Sequence, residues 1–225
     1  VDPVNYNSTN ATWGKTSANT SFVTLAGAYT FGLVGGVDAA VTDADVITAM
    51  NTFADSAQTA VSLVVTGPYT SVAVQTAAIN MAATRKDCVS FVSPPQSAVV
   101  NQSTPITGIQ TWLSLLARST SYAVADSGWK YMYDKYNQTY RWIPLNGDTA
   151  GLCVYTDTVR DAWWSPAGFN RGSIKNAIKL AWNPSKTYRD AIYAQGVNPV
   201  VSFPGQGIVL FGDKTLQAKP SAFDR

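Results

Sequence analysis

The fold is decided by the stretch AVSLVVTGPYTSVAVQTAAINMAATRKDCVSFV, residues 60–92. Its first part, 60–66, is a continuous run of mostly apolar, β-branched residues, which is typical of a strand buried on both faces. A Gly-Pro pair then turns the chain, and the Ala-rich segment 71–85 predicts a helix. A second apolar run, 88–92, predicts another strand. The stretch therefore predicts a strand–helix–strand unit with parallel strands.

The alternation of strands and helices continues on both sides of this unit. Upstream, 29–34 is an apolar run closed by glycines, and Thr42 is suited to cap a helix. The apolar side of that helix is Val46, Ile47, Met50 and Phe53. Downstream, Thr104-Pro105 begins a helix and 122–125 predicts a fourth strand. The apolar stripe of this helix is Ile106, Ile109, Trp112, Leu113 and Leu116. Three such units predict an α/β fold with a mixed, mostly parallel sheet flanked by helices and right-handed crossovers.

The second half of the chain changes character. Alternating polar and apolar residues on both sides of a turn predict a β-hairpin from 129–133 and 140–144. Segment 146–160 predicts a helix, with Ala150, Leu152, Cys153 and Val154 buried. The pattern over 174–182 fits a strand or a helix. The remaining predicted elements are a helix over 184–195 that Gly196 terminates and a strand pair, 200–203 and 207–211.

Three parts of the chain differ in composition. Residues 1–28 are rich in Asn, Ser and Thr, which predicts an irregular or β-rich N-terminal segment at the edge of a preceding domain. Residues 29–215 predict one α/β domain. Residues 216–225 would connect to a further, C-terminal domain. Asn-x-Ser/Thr sequons begin at Asn7, Asn10, Asn19, Asn101 and Asn137, but a chain this rich in these residue types forms sequons by chance.

Composition excludes several classes of enzyme. The chain has no histidine and no glutamate, since all 14 of its acidic residues are aspartates. It cannot build a Ser-His-Asp or Cys-His site, an H-E-x-x-H zinc site or an EF-hand loop. Asp, Lys, Tyr, Ser, Thr or backbone groups remain for catalysis, so composition disfavours an enzyme without excluding one. Together with the resemblance described below, it leads us to expect no catalytic, cofactor-binding or metal-binding residues and no enzyme activity. The two cysteines, Cys88 and Cys153, stand alone in apolar stretches and are expected to be buried free thiols.

Charge is distributed unevenly along the chain. Residues 1–80 carry one Lys and five Asp, whereas residues 81–225 carry 15 Lys or Arg and nine Asp. This uneven distribution of charge has two possible explanations. One is a chance fluctuation of composition, and the other is a pair of complementary faces used for association between like molecules. The small net charge of +2 does not indicate nucleic-acid binding. No apolar run in the sequence is long enough to span a membrane.

Two loops and two clusters are candidate sites. Glycines in 32–36 follow a predicted strand, but their spacing is that of a tight turn rather than a dinucleotide fingerprint. Loop 66–71 leads into a helix N-terminus without a phosphate-binding lysine, so anion binding there is disfavoured. Asp157, Asp161, Arg160 and Arg171 fit salt bridges around Trp163-Trp164 better than acid–base catalysis.

The largest cluster mixes aromatic and cationic side chains. It consists of Trp129, Tyr131, Tyr133, Tyr136, Tyr140 and Trp142 with Lys130, Lys135 and Arg141. Such a mixture occurs in sites for single-stranded nucleic acid or sugar. It also fits a hairpin that packs one aromatic face on the sheet and carries its cations outside, which is the reading we favour.

Several motifs, in one order, resemble the tail sheath proteins of contractile phages, especially large myophages of the T-even and giant-phage type. The motifs are Ala150-Gly151-Leu152, Tyr155-Thr156-Asp157, WSPAGFNRG over 164–172, YRDAIY over 188–193, Val197-Asn198-Pro199, LFGDKT over 210–215 and PSAFDR over 220–225. The likeness continues upstream through 129–142 and 87–95. It extends over roughly residues 28–225.

The resemblance implies a structural subunit of a contractile tail sheath. Such subunits polymerise around the inner tail tube, and contraction drives the tube through the host envelope. The implied partners are other copies of the subunit, the inner tail tube protein and the baseplate, without nucleic acid or membrane insertion. The implied location is the virion, after assembly in the host bacterial cytoplasm.

The family pattern also has parts that this chain does not match. It includes a true N-terminus and a C-terminal domain, so the chain is expected to be a protease-resistant piece of a larger protein that forms its outer domains. Neighbouring family members exchange strands through terminal arms, so this piece is expected to be monomeric. From a different class, an α/β nucleotide- or sugar-binding protein stays an alternative.

Overall fold

The computed structural model describes residue 36 and residues 39–219. The chain divides into two compact units, Val1–Ala40 and Val41–Arg225. All of the helices and strands that the structure describes belong to the second unit. The predictions for 1–28 and for the strand over 29–34 lie outside the described residues. Of the predicted glycine turn over 32–36, only Gly36 is described.

The described residues form helices and strands in alternation. The strands are β1 (Leu63–Val65), β2 (Val89–Val92), β3 (Ala123–Asp126), β4 (Trp129–Asp134), β5 (Thr139–Pro144), β6 (Lys179–Leu180), β7 (Val197–Asn198), β8 (Val200–Phe203) and β9 (Gly207–Leu210). The helices are α1 (Asp43–Asn51), α2 (Val72–Arg85), α3 (Gln96–Val99), α4 (Pro105–Leu116), α5 (Asn146–Val159) and α6 (Lys186–Ala194). This confirms the predicted α/β fold.

A four-stranded parallel sheet in the order β1-β2-β3-β7 is the centre of the fold. The predicted unit over 60–92 is present as β1, α2 and β2. Its first strand is shorter than predicted, and Val65 is 40% exposed, so the prediction that this strand is buried on both faces is wrong. The reason is that β1 lies at the edge of the described sheet, where one side lacks a neighbouring strand.

Local side-chain bonds begin the helices where the sequence predicts them. Thr42 and Asp45 form a reciprocal capping box at α1, and Ser71 Oγ accepts the Val74 N–H at the start of α2. Pro105 occupies the first turn of α4, where its missing N–H costs nothing. The last predicted helix begins later than expected, with Ser185 as the N-cap of α6.

The main core lies between the sheet and helices α2, α4 and α6. It contains Ile79, Ile109, Trp112 and Leu116 from the helices α2 and α4, and Val92, Ala123, Ala125 and Val197 from the sheet. The predicted stripe of α4 therefore faces the core. Because apolar burial contributes about 25 cal/mol per Å², these side chains are the main source of stability for the α/β unit.

Two antiparallel sheets accompany the parallel one. The predicted hairpin is confirmed as β4 and β5, and β6 pairs with the other edge of β4. The segment 174–182, which fitted a strand or a helix, contributes only the two-residue strand β6. The predicted final strand pair is confirmed as β8 and β9. A second core, Leu145, Leu152, Ile174, Val200, Ile208 and Leu210, joins this pair to α5.

Candidate functional site

The carboxyl edge of the parallel sheet is where open α/β folds usually bind ligands. In this chain buried polar side chains of its own occupy that edge. They are Thr66 after β1, Ser93 after β2, Asp126 and Ser127 at the end of β3, and Asn198 at the end of β7. The N-terminus of α5 covers the ends of β1, β2 and β3, with the buried side chain of Asn146 among these polar groups.

Hydrogen bonds within the chain engage most of the polar groups at this edge, but the buried Oδ1 of Asn146 has no hydrogen-bond partner among the described residues. Ser93 Oγ accepts the Asn146 N–H at 2.9 Å and donates to Asp126 Oδ2 at 2.6 Å. Asn146 Nδ2 donates to Thr66 Oγ1 and to the Gly67 carbonyl. The loop over 66–71 is therefore engaged by α5.

Asp126 has the most perturbed environment at this edge. Burial raises the pKa of its carboxyl to about 8, although the Ser93 hydroxyl and the Gly128 N–H both donate to it and oppose the shift. Asp148, the nearby acid, adds to the increase. The carboxyl is therefore mainly neutral at pH 7, which allows it to lie in a closed site without a cation.

The other buried acid–base contact lies under the hairpin. Lys130 is 5% exposed, and its Nζ lies 2.8 Å from Asp148 Oδ1 and 3.1 Å from the Lys175 carbonyl oxygen. Burial raises the pKa of Asp148, whereas the bond to Lys130 lowers it. The prediction that the hairpin cations lie outside is wrong for Lys130, because α5 provides a carboxylate on that face of β4.

The opposite face of the hairpin carries a ladder of aromatic rings. Tyr131 stacks on Tyr140 with 5.6 Å between centroids, and it contacts Trp142 at 4.9 Å. Lys179 Nζ lies 5.3 Å from the Tyr131 centroid. Trp129 is buried and Trp142 packs against the main core, whereas Tyr133, Tyr140 and Tyr136 are exposed. Only the inner end of the predicted aromatic face packs on the sheet.

A second aromatic surface, which the sequence analysis did not identify, lies beside β8 and β9. Phe169, Phe203 and Phe211 contact one another with centroid distances of 5.2–5.5 Å and are called the phenylalanine cluster below. Phe169 is 50% exposed and Phe211 43%. An open groove of about 500 Å³ runs from Phe211 along α6, and its charged lining residues are Lys186, Arg189, Asp190 and Asp213.

The arginines near this surface contact aromatic rings. Arg189 Cζ lies 5.3 Å from the centroid of Phe203, and Arg171 Cζ lies 5.2 Å from that of Trp164. Arg160 also lies over Trp164, at 5.9 Å. The predicted salt bridges of Asp157 and Asp161 with Arg160 and Arg171 are wrong. The arginines use the Trp164 ring and backbone carbonyls as partners instead.

Two other predictions concern α5. Ala150 and Leu152 are buried as predicted, but Val154 is exposed because it lies on the solvent side of the helix. Cys88 and Cys153 are free thiols; Cys88 is buried and Cys153 only partly so. Over the residues that the structure describes, no group of three or more His, Cys, Asp or Glu is suitable for a metal ion, and no helix is long and apolar enough to cross a membrane.

Comparison with known proteins identifies a family. The family model described as the phage tail sheath protein central domain matches residues 39–216. The tail sheath protein of Vibrio phage KVP40 is 44% identical over 223 residues, with 90% of this chain and 33% of the relative covered. That of Enterobacteria phage T4 is 39% identical, with 86% and 32% covered. This chain therefore spans about a third of the length of these relatives.

A solved structure shares the fold. The helical sheath of the anti-feeding prophage in its contracted state matches with a TM-score of 0.59 at 14% identity. The match covers 83% of this chain and 47% of that chain. At this level of identity, the likeness concerns the fold alone.

Proposed function

The chain belongs to the phage tail sheath family, and we propose that it is part of a structural subunit of a contractile tail sheath. The observation that carries this proposal is the match of its residues 39–216 to the central domain of the family. The whole subunit would polymerise around the inner tail tube and contract to drive the tube through the host envelope.

The closed edge of the parallel sheet supports a structural role. Ser93, Asp126 and Asn146 occupy the place where an α/β enzyme would bind its ligand, and their hydrogen bonds hold α5 against the sheet. A subunit whose sheet edge is filled in this way can move as a rigid body between two arrangements of the sheath. The energy of contraction would be stored when the sheath assembles. The proposed subunit therefore has no enzyme activity and needs no cofactor. No observation favours the alternative of a nucleotide- or sugar-binding protein.

The proposed partners are other copies of the subunit, the inner tail tube protein and the baseplate. The proposal includes neither nucleic acid nor membrane insertion. The subunit would be located in the tail sheath of the virion after assembly in the host bacterial cytoplasm. Residues 29–215 would be the sheath domain, 1–28 the edge of a preceding domain and 216–225 the connection to a C-terminal domain.

Electron microscopy of the full-length protein tests this function. The protein is expected to form tubes, alone or when it is mixed with its inner tube protein. Persistent absence of tubes under both conditions would contradict the proposal. The isolated chain of 225 residues is expected to be monomeric at micromolar concentration in light scattering, because exchange of strands requires the terminal arms. A stable closed oligomer would contradict that part.

A further inference from the structure

We propose that α1 and the residues around it, the acidic segment 41–55, dock on the phenylalanine cluster and the adjoining groove of a second copy of the chain. The inference rests on the proposed function, since it requires repeated copies in one assembly. It specifies a surface on each copy and the chemistry that joins them.

The acidic segment is exposed, and within the described part of the chain its carboxylates have no basic partner. Asp43, Asp45 and Asp55 are exposed, and none forms an ion pair among the described residues. The sequence itself contains no Lys or Arg between Lys15 and Arg85. Negative charge is therefore concentrated on this part of the surface.

Apolar side chains accompany these carboxylates. Val41 and Phe53 are both exposed, and no residue of α1 is fully buried. An amphipathic helix of a single globular domain normally buries one face. The apolar side chains at the two ends of this segment are instead exposed.

The phenylalanine cluster provides a rigid and complementary surface. A close backbone crossing at Gly172 holds Phe169 and Phe211 together, because Gly168 N–H donates to the Leu210 carbonyl and Leu210 N–H donates to that of Gly172. The groove beside the cluster has room for a side chain such as Phe53. Recognition of a helix by an apolar groove is a recurring mode of association.

The arginines near this surface can bind an acidic partner, and of the two aspartates that line the groove Asp190 already pairs with Lys186. Arg160, Arg171 and Arg189 lie over aromatic rings, and within the described part of the chain none of them pairs with a carboxylate. A cation–π contact orients a guanidinium group but leaves its positive charge uncompensated. A carboxylate from a second copy can therefore bind without displacing an existing ion pair.

The two surfaces lie towards opposite edges of the parallel sheet. Met50 of α1 packs on the cluster that contains Val64 of β1, the first strand of the sheet. The groove is lined by α6, which packs on β7 at the other edge. A contact between unlike surfaces is heterologous, so it repeats from copy to copy and produces an open helical array unless the rotation closes a ring.

Photo-crosslinking in the assembled full-length protein tests where the acidic segment docks. A photoreactive phenylalanine analogue at position 53 is expected to give a covalent dimer in tubes. Peptide mass spectrometry should locate the second site in 165–171, 186–190 or 203–211. The same analogue at Tyr136, on the hairpin turn, serves as the control and should not label those peptides. Dimers that map elsewhere, labelling of the inner tube protein alone, or no dimer at all would overturn the inference.

Charge reversal tests the chemistry independently. Asp43→Lys and Arg189→Glu should each raise the protein concentration needed for tubes by about tenfold, and the combined variant should restore most of the loss. Lys135→Glu, a charge reversal at an exposed position on the hairpin, should leave this concentration unchanged. Circular dichroism of each variant establishes that it is folded. If folded single variants assemble like the parent, or if the combination restores nothing, the inference fails while the sheath function stands. If the parent forms no tubes, the proposed function fails first.

Discussion

Ser93 donates its hydroxyl proton to Asp126 Oδ2 across 2.6 Å, and both side chains are closed off from solvent at the carboxyl edge of the parallel sheet. The Gly128 N–H donates to the other oxygen at 2.9 Å. These bonds stabilise the carboxylate, but burial outweighs them and raises the pKa of Asp126 to about 8. The sheet edge is therefore held by a carboxyl group that is mainly protonated at pH 7.

Replacement of this carboxyl changes how stability depends on pH. An unfolded Asp titrates near about 3.9, so between that pH and about 8 the folded state keeps a proton that the unfolded state has lost. The contribution of Asp126 to stability therefore falls as pH rises through this window. Asp126→Asn keeps a hydrogen-bonding side chain that cannot ionise. We expect its stability relative to the parent to increase by about 3–4 kcal/mol between pH 5 and 8 in urea unfolding.

The control for Asp126→Asn is Asp157→Asn, which alters an exposed acid on α5. Its stability relative to the parent should be nearly constant over the same range of pH. An equally constant difference for Asp126→Asn would show that Asp126 is ionised in the folded protein and would contradict the assignment.

Removal of the buried cation at the hairpin should be costly. Lys130→Met leaves Asp148 and the Lys175 carbonyl without the ammonium group that both now contact. We expect a loss of about 2–4 kcal/mol in the free energy of unfolding. Thermal or urea unfolding measures this loss.

A second substitution distinguishes the contribution of the ion pair to stability from that of side-chain packing. Adding Asp148→Leu to Lys130→Met removes the uncompensated carboxylate and should restore a large part of the stability. Lys186→Met is the control, since its pair with Asp190 is exposed and should contribute less than about 0.5 kcal/mol. A combined variant no more stable than Lys130→Met would assign the loss to packing instead.

The fold could be predicted from sequence further than the site could. Apolar runs predict strands, and local caps such as Thr42 predict helix starts, because both signals are local. Ser93 and Asp126 each follow a predicted strand, and the meeting of parallel strand ends could have brought them together. The covering of that edge by Asn146 could not be inferred, because it depends on how α5 packs 53 residues further along the chain.

The surfaces proposed for docking were harder still to foresee. Phe169, Phe203 and Phe211 come from a loop and the ends of two strands, so no periodic pattern relates them. The position of Lys130 was predicted wrongly for a related reason. Strand alternation assigns residues to two faces, but the burial of each face depends on which distant element covers it.

The hydrogen bonds of Gln75 connect two helices and the end of a strand. Its Oε1 accepts the indole N–H of Trp112 at 2.7 Å, and its Nε2 donates to the carbonyls of Ser93 and Thr70. Gln75→Met preserves much of the volume but leaves these buried groups unpaired. We expect a loss of about 2–3 kcal/mol in urea unfolding followed by tryptophan fluorescence.

The matched control is Gln102→Met, in which the glutamine is exposed. This change should alter the free energy of unfolding by less than about 0.5 kcal/mol. Equal stability of the two variants would mean that the Trp112 bond contributes little to the core.

Two glycines should respond to alanine in opposite directions. A Cβ at Gly172 would lie 2.5 Å from the Leu210 carbonyl oxygen and 2.9 Å from Gly168 backbone atoms, in a crossing that has little freedom to move. A Cβ at Gly151, within α5, would meet no atom within 4 Å. Gly172→Ala is therefore expected to lose about 2–3 kcal/mol, whereas Gly151→Ala should gain about 0.5–1 kcal/mol from helix propensity. Urea unfolding of both variants measures the difference. A neutral Gly172→Ala would mean that the crossing beneath the phenylalanine cluster yields easily, and the cluster could not then be the rigid docking surface that we propose.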